Sequence, residues 1–169
     1  MALGKSTVGA IHSRLRFIRA QSKSMNTSSS NTQQEAAKDY FGLHIPYMQY
    51  LGLEPGLFTE EKVTTRLPWR PELVNSRGDV HGGALMSALD FTLSAAARAH
   101  TEGCGMATID MTTHFMRPAQ GNVTIEARCL RLGATLAFCD GQALDDKGTV
   151  LATASATFKI VRPKPGRRC

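Results

Sequence analysis

The sequence lacks the features that mark several large protein classes. None of its apolar runs approaches the roughly 20 residues that a membrane-spanning helix requires, and it contains no internal repeat. Its four cysteines, Cys104, Cys129, Cys139 and Cys169, do not have the spacing of a zinc site. Cys129 and Cys139 fall within predicted strands, which favours buried, reduced thiols. What remains is a globular protein of 169 residues, enough for one hydrophobic core.

Acidic residues are missing from both ends of the chain. Residues 1–24 contain five basic residues and no acidic one, and residues 159–169 contain five more basic residues. Residues 25–158 hold ten basic against fourteen acidic residues, so the net charge of +6 arises at the ends. Because a nucleic-acid-binding domain needs a basic folded surface, we expect no nucleic-acid partner.

Residues 1–44 are predicted to be a basic and polar extension that is largely disordered. Apolar residues recur at helical spacing between arginines over residues 8–18, which is the composition of a mitochondrial targeting peptide. Met25 opens a polar low-complexity segment, so residues 1–24 could instead be upstream sequence or a disordered tail. We favour Met25 as the start and a cytoplasmic location, with the mitochondrial matrix as the alternative if residues 1–24 are a transit peptide.

The rest of the sequence predicts one α+β domain over residues 45–162, followed by a basic tail over residues 163–169. The pattern indicates short helices at 33–40 and 45–51, strands at 57–59 and 62–67, and a long helix from Gly82 to about Thr101. Four strands follow, at about 106–116, 122–132, 135–145 and 149–161. Turn residues at Gln120-Gly121, at Gly133 and at 146–148 favour tight hairpins between them. A long helix followed by antiparallel strands indicates a sheet on one side of that helix.

The segment from Asn75 to Asp90 is the most informative part of the sequence. Residues 84–100 contain no Gly or Pro and are apolar around most of a helix, which predicts a buried helix with Asp90 in its middle. A buried carboxylate is costly unless it has a partner or a chemical role. Gly82 and Gly83 leave two amides without side-chain cover at the positive helix end, where a developing oxyanion is stabilised. The alternative is a tight turn in which His81 and Asp90 are structural.

The spacing between Gly82 and Asp90 argues for a site shared between two chains. Eight residues span about 12 Å along a helix. A catalytic carboxylate and an oxyanion donor, however, must both lie within about 3 Å of the reacting atoms. Two antiparallel copies of the helix could bring Gly82 of one chain close to Asp90 of the other. We therefore expect a homodimer with two sites. We also expect two such dimers to form a tetramer, which this spacing does not decide.

This motif resembles that of the hotdog-fold acyl-CoA thioesterases of the PaaI-like group, named after the phenylacetate pathway. In that family an Asn precedes His-Gly-Gly by six residues and an Asp follows the His by nine, and Asn75, His81, Gly82, Gly83 and Asp90 all match. Further segments resemble the family's central strand and last two strands, at 107–119, 133–138 and 151–158. The resemblance implies a curved antiparallel sheet wrapped around one long central helix, with active sites at a dimer interface.

The resemblance also implies hydrolysis of an acyl-CoA thioester without a cofactor or metal. An aryl or medium-chain acyl group is expected if Phe91, Phe115, Met116 and Phe138 line a pocket, but these residues could equally belong to the core. The Gly82 N–H would donate to the thioester oxygen, and Asn75 and His81 would position the thioester or complete the oxyanion hole. His81 could instead only hold the loop. Asp90 would be nucleophile or general base, which the sequence leaves open, and Thr108 falls where related enzymes place a residue that holds the water.

Gly83, Arg117 and Arg131 are the expected substrate-binding residues, because the phosphates of CoA require nearby hydrogen-bond donors and cations. The family often has Lys or Arg after the glycine at 133, but this chain has Ala134 there. We expect structural roles for Asp110 and His114, which share one face of a predicted strand.

Two other functions on the same fold are weighed against hydrolysis. A non-catalytic acyl-CoA-binding hotdog protein acting as a regulator would need a DNA-binding module, which residues 1–44 are too short and polar to supply. A hotdog hydratase or dehydratase would need a different His-to-Asp or His-to-Glu motif, which the sequence lacks. We therefore favour the hydrolase, acting without membrane association.

Overall fold

Residues 39–163, which the computed structural model describes, form one six-stranded antiparallel sheet and one long helix. In chain order the elements are α1 (Pro46–Leu51), β1 (Glu54–Phe58), β2 (Val63–Leu67), a 3-10 turn (Pro71–Leu73), α2 (Gly82–Arg98), β3 (Gly105–Phe115), β4 (Val123–Leu132), β5 (Leu136–Leu144) and β6 (Val150–Val161). Helix α2 contacts strands β2 to β6. The predicted α+β class, with a sheet against one long helix, is confirmed.

The predictions for residues 1–38 and 164–169 lie outside the described residues. They include the targeting or tail segment, nearly all of the helix expected over 33–40, and most of the basic tail. Tyr40 is fully buried in the core and makes an edge-to-face contact with Phe91. The folded domain therefore begins before residue 45, where the sequence predicted its start. Within residues 39–163, no helix is long and apolar enough to cross a membrane.

The strand order is β1-β2-β4-β5-β6-β3, so β3 pairs with β6 and not with its successor β4. The hairpin expected at Gln120-Gly121 is therefore wrong, whereas those at Gly133 and at 146–148 are confirmed by β4–β5 and β5–β6 pairing. Residues 116–122 instead lead from β3 to β4 across the sheet. The backbone N–H groups of Met116 and Arg117 both donate to Leu151 O and hold the start of this segment. A turn dipeptide is a local signal and does not specify which strands pair.

Strand β1 begins three residues earlier than expected and includes Pro55 and Gly56. A proline is tolerated there because β1 is an edge strand, with an unpaired side that needs no donor. A Cβ at Gly56 would lie 2.5 Å from Thr64 Oγ1 on the neighbouring strand, so this position requires glycine. Proline and glycine are rare within strands, so the sequence pattern predicted a later start for β1.

Small residues let the sheet approach α2 closely. The inner face of β6 carries Ala152, Ala154 and Ala156, all buried. At Gly141 of β5, a Cβ would come within 3.2 Å of Leu93 Cδ2 on the helix. Leucines of α2 can therefore fill the space between helix and sheet, where close packing contributes most of the domain's stability.

One stripe of α2 is not covered in the single chain. Gly83 and Met86 are exposed, and Ser87, Asp90 and Ser94 are only half-buried. The expectation of a helix buried on all sides is wrong along this stripe, here called the open stripe. Its members follow the helical repeat, so they share one face of α2.

Candidate active site

A tight loop places Asn75 at the start of the site. The Asn75 side-chain oxygen accepts hydrogen bonds from the backbone N–H groups of Arg77 and Asp79, at 2.8 and 3.3 Å. The buried Asp79 carboxylate in turn accepts a hydrogen bond from Gln120 Nε2 at 3.2 Å, which ties the loop to the segment between β3 and β4. Because its oxygen is used within the loop, Asn75 has its amide NH₂ left to donate to another group.

His81 caps helix α2 with its side chain. Its Nδ1 accepts a hydrogen bond from the Gly83 N–H at 2.9 Å, so the imidazole proton resides on Nε2. A Cβ at Gly83 would lie 3.1 Å from this Nδ1, which explains the glycine. The expectation of two uncovered amides is therefore wrong for Gly83. Among residues 39–163, no acceptor is found for the Gly82 N–H, which remains available at the helix start.

A cavity of about 540 Å³ adjoins Gly82. It brings together Asn75, Gly82 and Arg117, three of the residues predicted from the sequence. Phe115 and Met116 provide apolar lining, and Arg77 adds a second cation. Arg117 Nη1 donates to Val150 O at 2.8 Å, which fixes the guanidinium at this end of the sheet.

Asp90 and Thr108 form a second cluster, two helical turns from Gly82. Thr108 Oγ1 donates to Asp90 Oδ1 at 2.8 Å. Thr108 pairs with the fully buried Phe158 and so faces α2, and a register shift follows between Thr108 and Asp110. The Asp90–Thr108 pair does not line the cavity at Gly82. Within one chain, the predicted catalytic residues therefore fall into two separate groups.

The structure places the remaining candidates away from both groups. Asp110 and His114 pair with Thr157 and Thr153 of β6, on the sheet face that points away from α2. Arg131 follows a bulge in β4 and pairs with Phe138, also on the outer face. None of these three residues lines the cavity at Gly82.

Two thiols lie opposite each other on β4 and β5, outside the candidate site. Cys129 and Cys139 are cross-strand partners, and both are free cysteines. Burial raises the pKa of the Cys139 thiol, and the adjacent Cys129 and Asp140 raise it further. Burial also raises the pKa of Cys129. Both groups are therefore protonated at neutral pH, which argues against a nucleophilic role.

Residues 77–152 match the family model described as the thioesterase superfamily. The matched range includes Gly82, Asp90, Thr108 and Arg117. Over this range, which is a little less than half of its length, the chain is similar to the thioesterase superfamily. Within residues 39–163, no group of three or more His, Cys, Asp or Glu side chains could hold a metal ion.

Proteins similar to this chain come from distant organisms. A medium/long-chain acyl-CoA thioesterase of Salmonella typhimurium is 28% identical over 151 residues, covering 76% of this chain and 96% of the relative. A protein of Saccharolobus solfataricus that carries the provisional name of an esterase is 29% identical over 118 residues, covering 69% and 81%.

Solved structures confirm the hotdog fold that the motif implied. The PaaI protein of E. coli, from the phenylacetic acid degradation operon, superposes with a TM-score of 0.64 at 18% identity. The superposition covers 71% of this chain and 86% of PaaI.

Sequence reasoning missed two residues beside Gly82 and one contact on the open stripe. Arg77 lines the cavity, and its position between Asn75 and His81 was the signal that could have identified it. Asp79 orders the loop that holds Asn75. Tyr47 and Ser87 bond to each other across 40 positions of sequence, for which no local pattern gives a signal.

Proposed function

We propose that this protein hydrolyses acyl-CoA thioesters to a free acid and CoA. The observation that carries the proposal is the hydrogen bond from Thr108 to Asp90, which lies on the open stripe of α2. The Gly82 N–H, at the start of the same helix, is available as a donor. The match of residues 77–152 to the thioesterase superfamily and the similarity to an acyl-CoA thioesterase support it.

The start of α2 would stabilise the negative charge that develops on the thioester oxygen. The Gly82 N–H lies at the positive end of the helix dipole and has no acceptor among the described residues. Asn75 lines the same cavity, and its amide NH₂ would be a second donor. One such donor accounts for about 3 kcal/mol of transition-state stabilisation where it has been measured.

Asp90 would act as general base toward water, with nucleophilic attack as the alternative. Thr108 uses its only hydroxyl hydrogen on Asp90 Oδ1, so toward water it is an acceptor. A water that donates one hydrogen to the Asp90 carboxylate and the other to Thr108 Oγ1 would have a lone pair free for the thioester carbon. In this arrangement Thr108 orients both the base and the nucleophile.

The complete site would form between two chains. Gly82 and Asp90 lie eight residues apart on α2, about 12 Å along its axis, too far to act on one carbonyl. Strand β3 is 11 residues long and pairs on one side only within residues 39–163, with exposed Ile109 near its middle. A second copy pairing with this edge would cover the open stripe and could place its Gly82 opposite Asp90. Further assembly into a dimer of dimers and a cytoplasmic location stay predictions.

The CoA phosphates would lie in the cavity at Gly82, where Arg117 and Arg77, which is paired with Asp79 at 3.4 Å, supply cations. The Gly83 N–H is used by His81 and would not donate to the substrate. Gly83 would contribute only by letting the substrate approach the backbone closely. Arg131 remains a predicted phosphate ligand, although its outer-face position would restrict it to the far end of CoA.

The test is release of free thiol from a panel of CoA thioesters, with Asp90→Asn as the matched variant. Size and most hydrogen-bonding capacity are conserved in this substitution, so we expect an unchanged melting temperature and a loss in kcat of about 100-fold or more. Binding of the panel without turnover by the wild-type protein would overturn the proposal in favour of a non-catalytic acyl-CoA-binding protein. Near wild-type turnover by Asp90→Asn would make Asp90 structural.

A further inference from the structure

Helix α1 positions Tyr47 against the open stripe of α2. The Tyr47 hydroxyl lies 2.9 Å from Ser87 Oγ, and Ser87 Oγ donates to Gly83 O, also at 2.9 Å. A serine hydroxyl has one hydrogen, which is used on Gly83, so Tyr47 must be the donor to Ser87. These two hydrogen bonds fix the Tyr47 hydroxyl to the first turn of α2, although 52% of the residue is exposed.

The surroundings of Tyr47 differ in charge from the cavity at Gly82. The cavity contains Arg117 and an Arg77–Asp79 ion pair at 3.4 Å, so its net charge is positive, and neither Tyr47 nor Ser87 belongs to its lining. Tyr47, Ser87 and the 37% exposed Met86 are uncharged. An acyl-CoA has its phosphates at one end and an apolar chain at the other. The cationic side of the cavity therefore favours the phosphates of CoA, and the uncharged part of the open stripe from Gly83 to Ser87 favours the acyl group.

We propose that Tyr47 is the end wall of an acyl pocket on the open stripe and sets the upper limit of acyl length. This inference rests on the proposed thioester hydrolysis. From Gly83 to Ser87 is four residues, about 6 Å of helix, so the space between the helix start and the anchored Tyr47 ring is short. Short or compact acyl groups fit this space, whereas a longer chain must displace the ring and break its hydrogen bond.

The test compares kcat/KM for straight-chain acyl-CoAs from butyryl to palmitoyl, kept below the concentrations at which they form micelles. For Tyr47→Ala we expect kcat/KM for the longer chains to rise by about 10-fold or more relative to butyryl-CoA, because a closed pocket discriminates chain length at least this strongly. Tyr50→Ala is the matched control. Tyr50 is on the same helix and 73% exposed, and within residues 39–163 its side chain has no hydrogen-bond partner, so its removal leaves the profile unchanged.

Tyr47→Trp tests the same wall in the opposite direction. A larger ring shortens the pocket, so the preference for butyryl-CoA over the next longer chains should increase. An unchanged profile in Tyr47→Ala, or equal shifts in Tyr47→Ala and Tyr50→Ala, would overturn the inference while the enzyme remains active. If the wild-type protein hydrolyses none of these thioesters, the proposed function itself fails, and the inference fails with it.

Discussion

Thr108 Oγ1 donates its hydrogen to Asp90 Oδ1 across 2.8 Å, linking an edge strand to the middle of the central helix. A hydrogen bond to a charged group contributes about 1.5 to 3 kcal/mol. If this bond orients the base as proposed, Thr108→Val should lower kcat by about 10-fold or more, since about 1.4 kcal/mol corresponds to a factor of ten.

Thr108→Ser is the control, because it keeps the hydroxyl and loses only a methyl group. Steady-state kcat and KM for one good substrate would be measured for both variants. We expect kcat to recover in the serine variant, with KM little changed throughout. Equal kcat in Thr108→Val and wild type would show that the hydroxyl has no role in orienting Asp90 or water.

His81 offers a test that separates helix capping from catalysis. Loss of its Nδ1 acceptor in His81→Ala leaves the Gly83 N–H without a partner, which should destabilise the fold by about 1 kcal/mol. Asn is a good N-cap residue, so His81→Asn should restore the melting temperature. Because the structure commits Nδ1 to the cap, we expect His81→Asn to restore most of kcat as well. A variant as stable as wild type but inactive would show that Nε2 acts on the thioester.

The buried thiols predict a decrease in stability at alkaline pH. Burial raises the pKa of Cys139 above its ordinary value of 9.0, so the unfolded state loses this proton at a lower pH than the folded state. The stabilising contribution is complete below about pH 9 and decreases as the pH rises toward the folded-state pKa.

Urea unfolding at several pH values from about 8 to 10 measures this slope. Cys139→Ala should reduce the pH dependence, whatever its effect on packing. Cys104→Ala, at a half-buried position outside the strands, should leave it unchanged. The same slope in wild type and Cys139→Ala would assign the pH dependence to other groups, such as buried Tyr40, whose pKa burial also raises.

The sequence was sufficient where the determining interactions are local. The helix begins at Gly82 as expected, since the glycine pair and the apolar residues after it are signals within one turn or two. Thr108, which the resemblance placed near the reacting water, donates a hydrogen bond to Asp90, and its role toward water stays a prediction. The oxyanion role of Gly82 and the catalytic role of Asp90 both stay predictions.

The contacts that the sequence did not predict are set by topology. Strand β3 pairs with β6, so its other edge is unpaired within residues 39–163 and lies beside the open stripe. The turn residues at Gln120-Gly121 had suggested instead that β3 pairs with β4. The His81 cap depends on one side-chain rotamer, which turns the imidazole back over Gly83. Such contacts follow from the folded backbone, so residue type and spacing alone do not predict them.

Complementation between two inactive variants tests the shared site directly. Asp90→Ala removes the carboxylate, and Asn75→Ala/Gly82→Pro removes the polar side chain and the oxyanion N–H. Proline suits position 82 because it is the first helical residue and the preceding His81 is extended, with φ −60° and ψ 135°. Each homodimer should therefore fold and be nearly inactive.

A heterodimer of the two variants would have one site with both lesions and one site with neither. Co-expression with two affinity tags would isolate it, and we expect activity to recover toward half of the wild-type value per heterodimer. This outcome requires that Gly82 of one chain and Asp90 of the other serve the same thioester, as the distance of about 12 Å along α2 implies. A purified heterodimer as inactive as its parents would instead place both groups at one site within a single chain.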